Sequence, residues 1–287
     1  MDHPVYIEGI SEIGKVMVYD TNLAKWTPFV HWSIFDVFET VKIALQAHKF
    51  EQTNYVFGGY KCFKPLGLYK DTACTIPAEF DGDLIAAWRD ELSLSGFVAT
   101  QPEVGKRPTL RFIQGKPTVR FYASSTYLES TIPLLTPPFS TISSFAMLGD
   151  SDAFARVVSL SKPSFQDWSS NETFAPIVRT NLSEEIMSQY TFALNFNPIT
   201  YGQFTNVFVM ATGDSLIMKV QNLEKSTFSI NNSAISVTQF KIGGSYSFNV
   251  VDDLLSGCVS AVCIGNVDEA VSQEISDYYK LLSPTSI

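Results

Sequence analysis

Basic side chains are scarce in this 287-residue chain. It has 20 Lys and Arg against 29 Asp and Glu, a formal net charge of −9. Nucleic-acid binding needs a basic stripe, and anionic membrane surfaces attract clustered Lys and Arg, so neither class of partner is expected. Histidine is scarcer still: His3, His31 and His48 all lie in the first fifty residues. With no Gly-x-Ser-x-Gly turn either, a Ser-His-Asp hydrolase has no positioned base. The four cysteines, Cys62, Cys74, Cys258 and Cys263, form no Cys-x-x-Cys pair, and zinc spacing is missing. They read as buried thiols, with a Cys62–Cys74 disulfide as the alternative. There is no phosphate-binding glycine loop. No stretch reaches the roughly 18 apolar residues of a membrane-spanning helix. The start, Met1-Asp2-His3-Pro4, has neither a basic region nor an apolar one, so no secretory signal is read. The expectation is a chain made in a cytoplasm that leaves it by assembly or lysis.

What is present is core material and turns. Hydrophobic residues make up 45% of the chain, with 22 Phe, enough for a substantial interior. From Tyr60 onward, β-type segments alternate with Gly, Pro, Asn and Ser turns. The clearest strands are Thr109–Ile113, Thr118–Tyr122, Thr141–Met147, Arg156–Leu160, Tyr190–Phe196, Asn206–Ala211, Ser215–Val220, Ser236–Ile242 and Gly257–Ile264. Many short strands with polar turns point to a mainly β sandwich or jelly roll. Thr212-Gly213-Asp214 is a hairpin signal. Trp88, inside Leu84-Ile85-Ala86-Ala87-Trp88, is a core residue. Val271, Ile275, Tyr278, Tyr279 and Leu282 give Asp268–Leu282 one apolar helical face.

Residues 1–59 read as a separate extension. Lys15–Tyr19 is strand-like and Asp20-Thr21-Asn22 turn-like. Ser33 opens a helix with Asp36 three residues on, as in a capping box. Ile34, Val37, Phe38, Val41 and Leu45 line one face of it. Trp26, Phe29 and Trp32 crowd just before the helix. This much apolar surface is expected to be buried, either on the sandwich or against a neighbouring subunit. Trp26, Phe29, Trp32 and Phe38 are the candidate assembly contacts.

Residues 60–287 carry a series of words in a set order. Leu68-Tyr69-Lys70-Asp71 is followed by Asp81-Gly82-Asp83, by Trp88 with Asp90, and by Ala99-Thr100-Gln101-Pro102. Then come Arg107-Pro108-Thr109-Leu110 and Gly115-Lys116-Pro117-Thr118-Val119-Arg120-Phe121. The chain closes with Phe240-Lys241-Ile242-Gly243-Gly244, the strand-like run through Ile264 and the helical segment. This order resembles concanavalin-like, laminin-G-type β-sandwich domains, common in bacteriophage tail and virion proteins and as appendages of secreted bacterial enzymes. The resemblance implies an antiparallel concanavalin-like β-sandwich with an N-terminal strand/helix extension and a C-terminal helix. The pattern departs from the family in three places. Glu91–Gly96 replaces a Ser-Gly-Asn-Gly turn. Phe121–Leu128 lacks the family's aspartates. Ala261 stands where a glutamate is usual.

A glycosidase on this fold needs two carboxylates facing one groove, spaced as Glu-x-Asp-x-x-Glu on a strand. No such run occurs, so no catalysis is expected. Two acidic clusters are candidate calcium ligands, Asp81 and Asp83 with Asp90, and Asp150 with Asp152, although both also fit Asx-type turns. Calcium is the one candidate cofactor. For sugar binding the best candidate is Trp168, in a polar loop with Asp167 and Asn171 beside it. The alternative is that Trp168 folds back onto the sheet. The reading that emerges is a non-catalytic, lectin-like virion protein of a phage capsid or tail. Its expected partners are other virion proteins or copies of itself as a homo-oligomer, with a host-surface glycan as candidate ligand. The alternative reading is a carbohydrate-binding module of a secreted enzyme or adhesin.

Overall fold

The run read as a strand from Gly257 becomes Gly257–Gly265, with every residue buried. It consists only of small and β-branched residues, with the second sheet against one face and, over Ala261 and Cys263, a helix against the other. The computed structural model describes residues 17–20, 25–28, 55–58, 60–61, 64–65, 67–90, 96–123, 125–148, 154–161, 173–179, 185–190, 193–212, 214–221, 225–229, 237–247, 250–252 and 254–287.

Two antiparallel sheets pack face to face. The first runs Ser226–Ser229, Ser215–Val220, Thr205–Ala211, Phe139–Met147, Gly257–Gly265, Lys116–Phe121 and Thr109–Ile113. Tyr55–Gly58 adds to the same edge of Gly257–Gly265 as Lys116–Phe121, at its other end, with Ile264 opposite Tyr55. The second runs Ala193–Pro198, Glu185–Tyr190, Thr173–Arg179, Val158–Ser161, Val237–Ile242, Leu128–Leu135, Val98–Thr100, Ala87–Arg89 and Leu68–Tyr69. The mainly β sandwich expected from the turn spacing is therefore present.

The core fills the space between the sheets. Phe57, from the first, meets the Trp88 ring edge-on at 6.1 Å and the Phe240 ring at 5.3 Å, both from the second. Trp88 is the core residue its apolar run implied. Burying each such side chain contributes about 1.5–3 kcal/mol.

The C-terminal helix, Glu269–Leu282, lies on the outer face of the first sheet. Asp268 caps it, accepting from the Val271 amide at 2.8 Å. Val271, Ile275, Tyr278, Tyr279 and Leu282 are buried against Val56, Ile142, Phe208, Ala261 and Cys263. These are the helix residues the periodicity selected. Cys258 and Cys263 are buried thiols, Cys74 is half-buried, and Cys62 lies outside the described residues.

Four features differ from the sequence reading. Arg156–Leu160 is two strands, Phe154–Arg156 and Val158–Ser161, because the pairing register with Thr173–Arg179 changes at Val157. Tyr190–Phe196 straddles a hairpin: Glu185–Tyr190 pairs with Ala193–Pro198, Tyr190 opposite Ala193. The sandwich also takes in Tyr55–Gly58, upstream of the boundary at 60, because Tyr55 and Phe57 belong to its core. Trp26 sits in a strand, Lys25–Pro28, opposite Tyr19 of Met17–Asp20. The expected helix from Ser33, with Phe29, Trp32 and Phe38, lies outside the described residues.

Candidate functional site

The calcium candidates Asp81 and Asp83 serve a turn. Their segment runs beside the edge strand Thr109–Ile113: the Gly82 amide donates to Leu110 O and the Leu110 amide to Asp83 O, both at 2.8 Å. Asp81 Oδ1 accepts from the Phe112 amide at 2.9 Å and meets Arg111 Nε at 3.2 Å. Asp83 Oδ2 accepts from the Glu79 and Phe80 amides, each at 3.0 Å, with Lys70 Nζ at 3.5 Å. Burial opposes the Asp83 charge, but the two amides and Lys70 outweigh it and hold the carboxyl below the usual aspartate range. One carboxylate thus clamps the turn and the other pins the edge strand. Asp90 does not join them. It is buried where Ala87–Arg89 ends, its amide donating to Phe97 O at 2.7 Å. Among the described residues no three His, Cys, Asp or Glu side chains come together as a metal set. Asp150 and Asp152 lie outside the described residues, as do Trp168, Asp167 and Asn171.

The structure offers an exposed aromatic site elsewhere. In Lys116–Phe121, Val119 and Phe121 point into the core. Alternation therefore turns Arg120 and Tyr122 outward. A turn fixes Tyr122: its amide donates to Thr126 Oγ1 at 2.5 Å, and its carbonyl accepts from the Ser125 and Thr126 amides, both at 3.2 Å. Thr126 is buried and anchors that turn.

Around the ring the groups converge from distant parts of the chain. The Arg120 guanidinium carbon lies 5.0 Å from the Tyr122 ring centroid, within cation–π range. Arg120 Nη2 donates to Ser256 Oγ at 3.2 Å. Thr109, directly opposite Arg120 across the strand pair, brings Oγ1 to 3.3 Å from the Tyr122 hydroxyl. Leu84 bridges to Thr109 and is 38% exposed, as is Tyr122. The result is a half-exposed aromatic ring with a hydroxyl at its edge and a guanidinium over it. Such a surface can stack against a sugar ring and hydrogen-bond its hydroxyls. The sequence reading missed Arg120 and Tyr122; the alternation of Lys116–Phe121 is the signal that could have placed them on one outer face.

No protein family matches the sequence, and no curated protein does. Solved structures are similar in fold. The CBM40 module of the Ruminococcus gnavus IT-sialidase, bound to α2,3-sialyllactose, aligns with 49% of this chain and 83% of its own, at TM-score 0.41 and 9% identity. Domain 4 of a GH43 extracellular arabinanase from Geobacillus stearothermophilus, in complex with arabinotriose, aligns with 60% of this chain and 80% of its own, at TM-score 0.44 and 10% identity. The enzymatically active domain of Bacteriophage CBA120 tailspike protein 2 aligns with 62% of this chain, at TM-score 0.46 and 13% identity, and only 30% of that domain is covered. At these identities the similarity is one of β-sandwich fold.

Proposed function

We propose that the chain is a non-catalytic β-sandwich on a virus particle that contacts glycans through the Tyr122 surface. The observation that carries the reading is the Tyr122 arrangement itself: a half-exposed ring, the Arg120 guanidinium 5.0 Å from its centroid and Thr109 Oγ1 3.3 Å from its hydroxyl. The site lies on the outer face of the first sheet, beyond the part the helix covers, and the turn at Thr126 holds it in place. The use of the carboxylates supports a non-catalytic role. Asp81 and Asp83 clamp backbone amides, Asp268 caps the helix and Glu129 pairs with Lys241 at 3.1 Å. The phage or virion setting rests on the family-like order of motifs.

The test is binding of the full chain to an immobilised glycan panel and to host cells. Tyr122→Ala weakens binding about three- to tenfold at unchanged circular dichroism. Unchanged binding removes the site, and Trp168→Ala then tests the loop candidate. Immunogold labelling of purified particles tests the virion setting. Incubation with polysaccharides releases no reducing sugar; release abolished by one Asp→Asn or Glu→Gln change overturns the non-catalytic part.

A further inference from the structure

The outer face of the first sheet is divided in two. The helix covers Ile142, Phe208, Ala261 and Cys263. The remaining part is built from Thr109–Ile113, Lys116–Phe121 and the start of Gly257–Gly265. Leu110, Val119 and Val259 are core residues of those strands. The alternate positions Thr109, Arg111, Thr118, Arg120 and Cys258 therefore share the outer face, with Arg120 opposite both Thr109 and Cys258, and Arg111 opposite Thr118. This register makes Arg111 and Arg120 diagonal neighbours, a spacing of about 7–8 Å. Both act on one group: burial raises the Cys258 pKa, against the pull of Arg120, Thr118 and Arg111.

The two guanidinium groups are compensated differently. Arg111 meets Asp81 in an exposed pair, the side chains 49% and 48% accessible. A pair of that kind is weak and exchanges readily. Arg120 is half-buried, and among the described residues its contacts are neutral: Ser256 Oγ, the Tyr122 ring and the Cys258 thiol. Its Nη1 is enclosed and has no hydrogen-bond partner among the described residues. A partly desolvated cation with no counter-charge among the described residues is unfavourable, and an anion arriving at its accessible side relieves it. The chain as a whole carries −9, a field that disfavours polyanions but tolerates a single charge on an otherwise neutral ligand.

We propose that Arg120, with Arg111 beside it, receives the anionic group of an acidic saccharide, a carboxylate or a sulfate ester, while the sugar ring lies against Tyr122. The inference rests on the glycan reading of the same site and adds the class of sugar. The hydroxyls of Thr109 and Tyr122 serve the neutral part of the ligand, and the guanidinium selects for charge.

The experiment titrates the full chain with three matched oligosaccharides: neutral, uronate-bearing and sulfated. At low salt an acidic form binds about ten- to a hundredfold more tightly than the neutral one. That ratio falls between about 20 and 300 mM NaCl as the contact is screened. Arg120→Gln removes most of the preference, while Arg120→Lys keeps part of it by retaining the charge. The uronate and sulfate arms report which anion geometry the site prefers. Equal binding of neutral and acidic forms, unchanged by Arg120→Gln but weakened by Tyr122→Ala, overturns the charge selection and leaves the glycan reading standing. No binding of any form at millimolar concentration, with Tyr122→Ala silent on host cells, overturns both. If Arg120→Gln does not fold, the wild-type salt series decides: a ratio flat with salt overturns the proposal.

Discussion

Lys116 closes the C-terminal end of the helix through Ser283: its Nζ donates to the Ser283 carbonyl at 2.7 Å and to the Leu281 carbonyl at 2.8 Å. The last carbonyls of a helix have no partner within it and present partial negative charge. A lysine on a strand of the first sheet thus serves both needs and ties the helix to that sheet. Lys116→Met keeps the stem and removes the donors. The expected loss is about 1–3 kcal/mol in urea unfolding. An unchanged midpoint would show that water caps the helix equally well.

Ser283 does a second job beneath the helix. Its hydroxyl donates to Tyr279 O at 2.8 Å and lies 2.5 Å from Ser144 Oγ and 2.6 Å from Ser260 Oγ. All three serines are buried. Ser260 is the extra residue where the pairing of Phe139–Met147 with Gly257–Gly265 shifts, so the bulge brings its hydroxyl into the cluster. Ser283→Ala is expected to cost about 1–3 kcal/mol, because it strips partners from groups that stay buried. Replacing all three serines by Ala costs less than the sum of the single changes, a coupling that a mutant cycle measures directly.

Asp83 supplies a pH dependence. Burial resists its ionisation, but the Phe80 and Glu79 amides and Lys70 lower its folded pKa below the unfolded value, which is about 3.9. Its contribution is therefore complete above the unfolded value and disappears as pH falls through the lower, folded one. Asp83→Ala should lower stability by about 0.5–2 kcal/mol at neutral pH, as for loss of a capping side chain. The gap between variant and wild type closes in acid below that window. A gap that persists there would show that the carboxylate charge is not what holds the turn. Because Asp81 and Asp83 already hold backbone amides, added calcium should leave the neutral-pH midpoint unchanged, and a rise that a chelator reverses would reopen the calcium reading.

The helix face and the Trp88 core position were legible because each depends on neighbours close in sequence. Val271, Ile275, Tyr278, Tyr279 and Leu282 follow the helical period, and Trp88 closes an apolar run. Leu128–Leu135 was not legible, since Pro133 and a register shift between Thr131 and Leu135 break its alternation. The Tyr122 site was half legible. Alternation puts Arg120 and Tyr122 on one face, but nothing local places Ser256, 136 residues away, against Arg120. That meeting is set by strand order, which the sequence expresses only through long-range packing.

At Gly243 the end of a second-sheet strand lies directly against Phe121 of the first sheet. The glycine has φ +86°, and a methyl group built there would fall 2.3 Å from Phe121 Cδ1. Only glycine takes this backbone without strain and leaves room for the ring. Gly243→Ala is expected to cost more than about 2 kcal/mol, combining overpacking with an unfavourable φ. In a Phe121→Leu background the added cost should shrink, because the steric part goes and the backbone part stays. Equal costs in both backgrounds would assign the whole effect to the backbone.

The last prediction separates the N-terminal region into two parts. Tyr55, Val56 and Phe57 are each at most 1% exposed. Tyr55 stacks on Phe240 at 6.4 Å, and Phe57 reaches both Phe240 and Trp88. This short strand therefore bolts the first sheet to the second. Removing residues 1–54 spares it, so the truncated chain should keep a single cooperative unfolding transition. Removing residues 1–59 takes the strand away. At about 1.5–3 kcal/mol for each buried side chain, the loss approaches the 5–15 kcal/mol by which a typical domain is stable, and cooperativity should collapse. With the shorter deletion folded, its assembly can be read by sedimentation. A fall in oligomer size assigns residues 1–54, with Trp26, Phe29, Trp32 and Phe38, to contact with a neighbouring subunit. An unchanged size removes the docking-arm reading. Loss of cooperativity in the shorter deletion would instead make residues 1–54 part of the sandwich's own core.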